Sequence, residues 1–177
     1  MWTLSAFLLG VVLLVVGGIA VFTYLRYRGA RFVKCPETHT IAAVTVDAGD
    51  AAWSIAIGNP HLHLSQCTRF EGAPTCDQDC LRQIEFAPED CLVRNVVSHW
   101  YKDRQCAMCG QMFGEIHWHD HKPALIDHEG RTVQWSDVPL ANLVGYLDTH
   151  QPVCWNCHIV ATFRHDHPEL VTLRKER

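Results

Sequence analysis

The stretch CWNCH, Cys154–His158, decides how this chain is read. Cys-x-x-Cys-His is the attachment signature of a c-type haem. Cys-x-x-Cys alone serves as a redox pair or as half of a zinc site. A matching stretch, CAMCG, lies upstream at Cys106–Gly110. Its glycine lets the backbone reverse, so that a tight turn presents the sulfurs of Cys106 and Cys109 together. With Cys154 and Cys157 these make four thiolates, the donor set of a closed tetrahedral Zn²⁺ site. An iron–sulfur cluster uses the same donors and stays open as an alternative.

Between the two pairs the sequence carries ordered elements. Ala124–Asp127 and Thr132–Trp135 flank HEGR and read as a hairpin. SDVPLANLVGYLDTH reads as a helix with Ser136 as N-cap and Pro139 in the first turn. Leu140, Leu143, Val144 and Leu147 line one of its faces. The second cysteine pair then opens a further helix.

The compartment decides between haem and metal. No charged side chain occurs in the first 25 residues, and Ala6–Tyr24 reads AFLLGVVLLVVGGIAVFTY. Roughly 20 apolar residues suffice to cross a bilayer. Residues 4–25 are therefore expected to lie in lipid, with Trp2 and Tyr24 at the interfaces. Basic residues follow the run rather than precede it, and no small-residue cleavage site appears, so an uncleaved single-pass anchor is expected. Arg26, Arg28, Arg31 and Lys34 directly after it place that end inside by the positive-inside rule. The expectation is an inner (cytoplasmic) membrane protein with its N-terminus outside and residues 35–177 cytoplasmic. The cytoplasm keeps thiols reduced. The nine cysteines are then metal ligands rather than disulfides, and haem attachment, which happens outside the cytoplasm, is disfavoured.

All 19 acidic side chains lie after residue 34, and the chain carries a formal charge of −4. Proteins that bind nucleic acid usually show a basic footprint instead, so no nucleic acid is expected as a partner.

Downstream of the anchor, Ile41–Val46 and Ala52–Ile57 read as strands separated by the turn signal DAGD, with His61–Ser65 as a third. DQDCLRQIEF reads as a short helix. Pro88–Tyr101 reads as another, with Leu92, Val96, Val97 and Trp100 on its core side. Cys76-x3-Cys80 would share a helical face. With Cys35 and Cys67 they form a candidate second metal site. Cys91 is left as a small packed hydrophobe. Twelve histidines cluster as HLH (His61, His63), HWHDH (His117, His119, His121) and HDH (His165, His167). In a strand each set would share a face, which can build a zinc, copper or nickel site.

Knuckle, hairpin and helix with the second cysteine pair form the treble-clef arrangement. The string Cys106-x-x-Cys109, Asp120-His121-Lys122-Pro123, Asn142 and Pro152-Val153-Cys154-x-x-Cys157-His158 resembles the HNH endonuclease family over residues 106–164. The resemblance implies that His121 is a general base, that Asp120 and His158 hold a catalytic metal, and that Asn142 orients the base. An acidic, membrane-tethered surface is poorly suited to gripping phosphates. The likeness is therefore read as shared fold without the activity.

The expected fold class is α+β. It comprises one N-terminal transmembrane helix, a small antiparallel sheet with helices, and a treble-clef-like zinc domain. Composition sets the segments at 1–34, 35–105 and 106–177. The expected function is a zinc-stabilised accessory subunit, not an enzyme, docking an integral membrane complex of respiratory or photosynthetic type. An HNH-like nuclease is the alternative. Thiol redox, c-haem and metal handling follow it.

Overall fold

A computed structural model describes residues 2–116 and 118–170. The chain divides into two compact units, Met1–Val96 and Val97–Arg177. Composition alone sets its breaks at 34/35 and 105/106; Tyr27, at the end of the N-terminal helix, belongs to the first unit's core.

In the first unit, helix α1 (Trp2–Tyr27) is long and apolar enough to cross a membrane. Its apolar side chains are exposed, whereas Thr23 and Tyr27 near its end are buried. Strands β1 (Ala30–Lys34), β2 (Ile41–Val46) and β3 (Leu64–Cys67) form an antiparallel sheet in that order. Phe32 stands opposite Ala43, and Val44 opposite Cys67. Val33, Ala42, Val44, Val46, Leu64 and Ile84 fill the core with Tyr27.

Ala52–Ile57 is not a strand. It belongs to helix α2 (Ala48–Ala56), which packs against α1. The residues DAGD that suggest a turn are its start: Asp47 is the N-cap, and its Oδ1 accepts the Asp50 N–H at 2.9 Å. Ala48, Ala51 and Ala52 are buried at helical spacing, and alanine has the highest helix propensity. The local turn signal was a capping signal.

Helix α3 (Leu81–Phe86) begins only after Cys80, its N-cap. Gln78 adopts a φ of 56° and its side chain accepts the Leu64 N–H at 2.7 Å, which ties the preceding loop to β3. Cys76 and Cys80 therefore do not share a helical face. Helix α4 (Val93–Tyr101) likewise starts later than Pro88. The segment before it runs along β1: Phe32 N–H donates to Cys91 O at 2.8 Å, and Arg31 bridges to Leu92.

Arg31 is fully buried. Its guanidinium donates to the carbonyls of Tyr27 (2.5 Å), Arg26 (2.6 Å) and Gly29 (3.0 Å). The last carbonyls of a helix lack intrahelical partners and carry the negative end of its dipole. A residue that reads as a surface topology charge is thus a cap for α1.

In the second unit, β4 (Ala124–Ile126), β5 (Thr132–Gln134) and β6 (Gln151–Val153) form an antiparallel sheet with β4 central. Helix α5 (Leu140–Thr149) connects β5 to β6, and α6 (Trp155–Asp166) follows. Leu125, Leu143, Val153 and Tyr101 are fully buried, and Tyr101 Oη donates to Ala124 O at 2.8 Å. Tyr101, not Trp100, supplies the buried aromatic of α4. Trp100 is half-buried, with the Arg104 guanidinium 4.1 Å from its ring centre. Helix α5 is capped at Pro139 rather than Ser136. Trp118–Asp120 form a turn, and His117 lies outside the described residues, so the HWHDH alternation is not a strand face. His165 lies in the last turn of α6.

Candidate metal centre

The CAMCG turn closes as a knuckle. Gly110 sits at φ 72° and its N–H donates to Cys106 O at 2.9 Å, while Cys106 N–H donates to Gln111 O at 2.9 Å. That positive φ is open to glycine at no steric cost. Ala107 N–H donates to Pro152 O at 2.9 Å and so ties the knuckle to β6. Strand β6 delivers Cys154 as the N-cap of α6, and Cys157 follows in its first turn.

The four ligand atoms of Cys106, Cys109, Cys154 and Cys157 lie within 4.8 Å of one another. Cys109 Sγ and Cys154 Sγ are 3.8 Å apart. A tetrahedron with metal–sulfur bonds of about 2.3 Å has edges of about 3.8 Å. A disulfide would need about 2.05 Å. The spacing would suit four sulfurs around one ion and rules out a disulfide between Cys109 and Cys154.

Electrostatics fit the same chemistry. Burial pushes the Cys106 thiol up, but N–H groups of Cys154, Cys109 and Met108 outweigh it and bring it down to about 6. One of these, Cys154 N–H, lies 3.3 Å from Cys106 Sγ. Burial raises the Cys157 thiol, and neighbouring Cys154, Cys109 and Cys106 raise it further. Several thiolates cannot share so small a space unaided. A bound dication removes that cost, and the N-terminus of α6 favours the net negative centre.

The other predicted cysteines behave differently. Cys35, Cys67, Cys76 and Cys80 line one cavity of about 90 Å³. They are not among the described groups whose ligand atoms close to within 4.8 Å. Burial, and then the field of Cys76, Cys67 and Cys35, pushes the Cys80 thiol up to about 11. Hydrogen bonds from Thr38 instead bring Cys35 down to about 7, and Arg69 Nη1 donates to its sulfur at 2.8 Å. Cys91 is half-buried, its thiol donating to Gln83 O at 3.7 Å.

Asp120, His121 and His158, implied by the HNH resemblance, do not form a group of convergent ligand atoms among the described residues, although the rings of His121 and His158 lie 6.2 and 6.0 Å from that of Trp155. Asp120 and His121 pair at 3.2 Å on the surface. Asn142 is exposed on α5. His158 is buried, its Nδ1 2.8 Å from Thr132 Oγ1 and 3.4 Å from Thr162 Oγ1. Burial lowers its pKa, against a smaller opposing pull from Asp137. The ring is a packed link between β5 and α6. His121 and His158 share no group of convergent ligand atoms among the described residues.

A second convergent group joins Asp50, His61 and His63. The HLH alternation pointed to the two histidines. Asp50 carried no sequence signal as a ligand, because its place beside them depends on α2.

Compared with protein families, with curated proteins and with solved structures, the chain matches none of them.

Proposed function

We propose that this chain is a membrane-anchored accessory subunit whose C-terminal unit is folded by a thiolate-bound Zn²⁺. The observation that carries the reading is the closed set of four sulfurs at Cys106, Cys109, Cys154 and Cys157. When the protein fills all four positions around zinc, no position is left for substrate, and the ion contributes folding energy rather than chemistry. The treble-clef arrangement of knuckle, hairpin and helix belongs to this reading, as a shared fold without nuclease activity.

Membrane attachment rests on the exposed apolar length of α1. The exposed Arg26, Arg28 and Lys34 after it favour a cytoplasmic placement of both units, where thiols stay reduced. Docking is supported by apolar side chains left in solvent along α6: Ile159, Val160 and Phe163. Contiguous exposed apolar groups commonly mark interaction sites. The partner is an integral membrane assembly, for which a respiratory or photosynthetic complex is a candidate.

Purification of the full chain in mild detergent tests both halves. Tightly held zinc, with Cys106, Cys109, Cys154 and Cys157 protected from alkylation until it is removed, is expected, together with co-purifying membrane subunits. A metal-free chain with reactive thiols overturns the zinc half, and an isolated monomer overturns the docking half. DNA cleavage with Mg²⁺ that disappears in His121→Ala would replace this reading with the nuclease.

A further inference from the structure

We propose that Asp50, His61 and His63 form an open site for a divalent first-row transition ion, chemically independent of the thiolate centre. Asp50 Oδ2 is 2.6 Å from His61 Nε2 and 3.4 Å from His63 Nδ1. That oxygen is buried and makes no hydrogen bond despite the two imidazoles beside it. A buried carboxylate oxygen without a hydrogen bond is costly. Neighbouring ligand atoms around an ion with bonds of about 2.0–2.1 Å stand about 3 Å apart. The two observed separations bracket that spacing.

The outer partners fit ligand histidines. His61 Nδ1 is 3.2 Å from Asn59 O, and a nitrogen facing a carbonyl must carry the proton. In the neutral ring Nε2 then presents its lone pair toward Asp50. His63 Nε2 stands 3.7 Å from Asp47 Oδ2, on the side away from Asp50. A carbonyl or carboxylate behind the ring is what fixes the tautomer of a metal-bound imidazole.

The site is also preorganised. Ser54 is fully buried, and its hydroxyl lies 3.1 Å from His61 O while accepting the His61 N–H at 3.4 Å. Asp47 N–H donates to His63 O at 3.0 Å, and Asp47 Oδ1 accepts the Asp50 N–H. The backbones of all three ligands are thus tied to α2 or its N-cap. Side-chain exposures of 53% for His61 and 45% for His63 leave the outer face of the ion to water. Two imidazoles and one carboxylate suit zinc, cobalt, nickel or copper. Such a site exchanges its ion, unlike the closed thiolate set.

The test uses the full chain in detergent, with its tight zinc retained, titrated with Co²⁺. One additional Co²⁺ per chain is expected, with weak d–d absorption and no thiolate charge-transfer band. His61→Ala/His63→Ala should abolish this uptake, and Asp50→Asn should weaken it at least about 10-fold, with far-ultraviolet circular dichroism unchanged. A wild-type chain that takes up no Co²⁺ contains only an ion pair, and the proposal fails. Uptake that shows thiolate charge transfer, or survives the histidine changes, overturns it equally. Neither result bears on the zinc held by the four cysteines, which elemental analysis of the same samples reports separately.

Discussion

Two sets of four cysteines occupy the two units, and only one closes. Cys106, Cys109, Cys154 and Cys157 converge to within 4.8 Å, whereas Cys35, Cys67, Cys76 and Cys80 ring a cavity of about 90 Å³. Residue type and number are the same, so the difference lies in the backbone that presents them. The closed set rests on a glycine-terminated knuckle and a helix N-terminus, each supplying N–H groups near sulfur. The open set comes from strand ends, a loop and the N-cap of α3, with Cys35 near 7 and Cys80 near 11. Backbone donors reach Cys35 as well, so what sets the closed set apart is the knuckle and helix start that bring all four sulfurs together; cysteines that merely lie near one another leave a thiol-lined cavity.

The largest expected effect breaks the comparison at its strong side. Binding of a structural zinc is worth about 10–16 kcal/mol in small domains. Chelation, or Cys157→Ser, should therefore unfold the second unit, seen as loss of near-ultraviolet circular dichroism from Tyr101 and Trp135. The first unit should keep its amide hydrogen-exchange protection. A second unit that stays folded without metal would erase the contrast.

Replacement of the tight metal by Co²⁺ comes next. One thiolate-bound ion per chain is expected from charge-transfer intensity. Two would mean that the cavity contracts around an ion, and the two sets would then be alike.

Substitution in the open set should cost far less. Cys80→Ala removes a small buried side chain and should lower stability by about 1 kcal/mol, measured by denaturant unfolding. A loss comparable to that of Cys157→Ser would point to a hidden ion.

The smallest effect is on acidity. Alkylation of Cys35 should rise through about pH 7, while Cys80 stays a thiol to about pH 11. The Cys35 value is depressed from its ordinary 9.0. Its contribution to stability is therefore complete above that pH and is lost as pH falls through 7. Thr38→Ala should move the alkylation midpoint upward, and an unmoved midpoint would remove the Thr38 hydroxyl as the cause, leaving its backbone N–H.

What could be read from the sequence was what local chemistry decides. The two Cys-x-x-Cys pairs, the hairpin around HEGR and the helix after Cys154 each carry their signal within a few residues. The errors share one cause: a local signal with two structural meanings. DAGD serves as a turn or as the cap of α2, and tertiary packing of its alanines chose the cap. Arg31 reads as a membrane-topology charge, but its guanidinium found the free carbonyls of α1. Asp50 entered a site only because α2 lies beside the loop that carries His61 and His63. His158 followed Cys157 in a suggestive string, yet Thr132 from a distant strand claimed its ring nitrogen.

Arg31 has a mechanical meaning as well. Its side chain fastens the end of α1 to the strand that follows, with only Arg28 and Gly29 between the two elements. There is no slack in that joint. A tilt of α1 would turn the first sheet with it, as a lever turns its load.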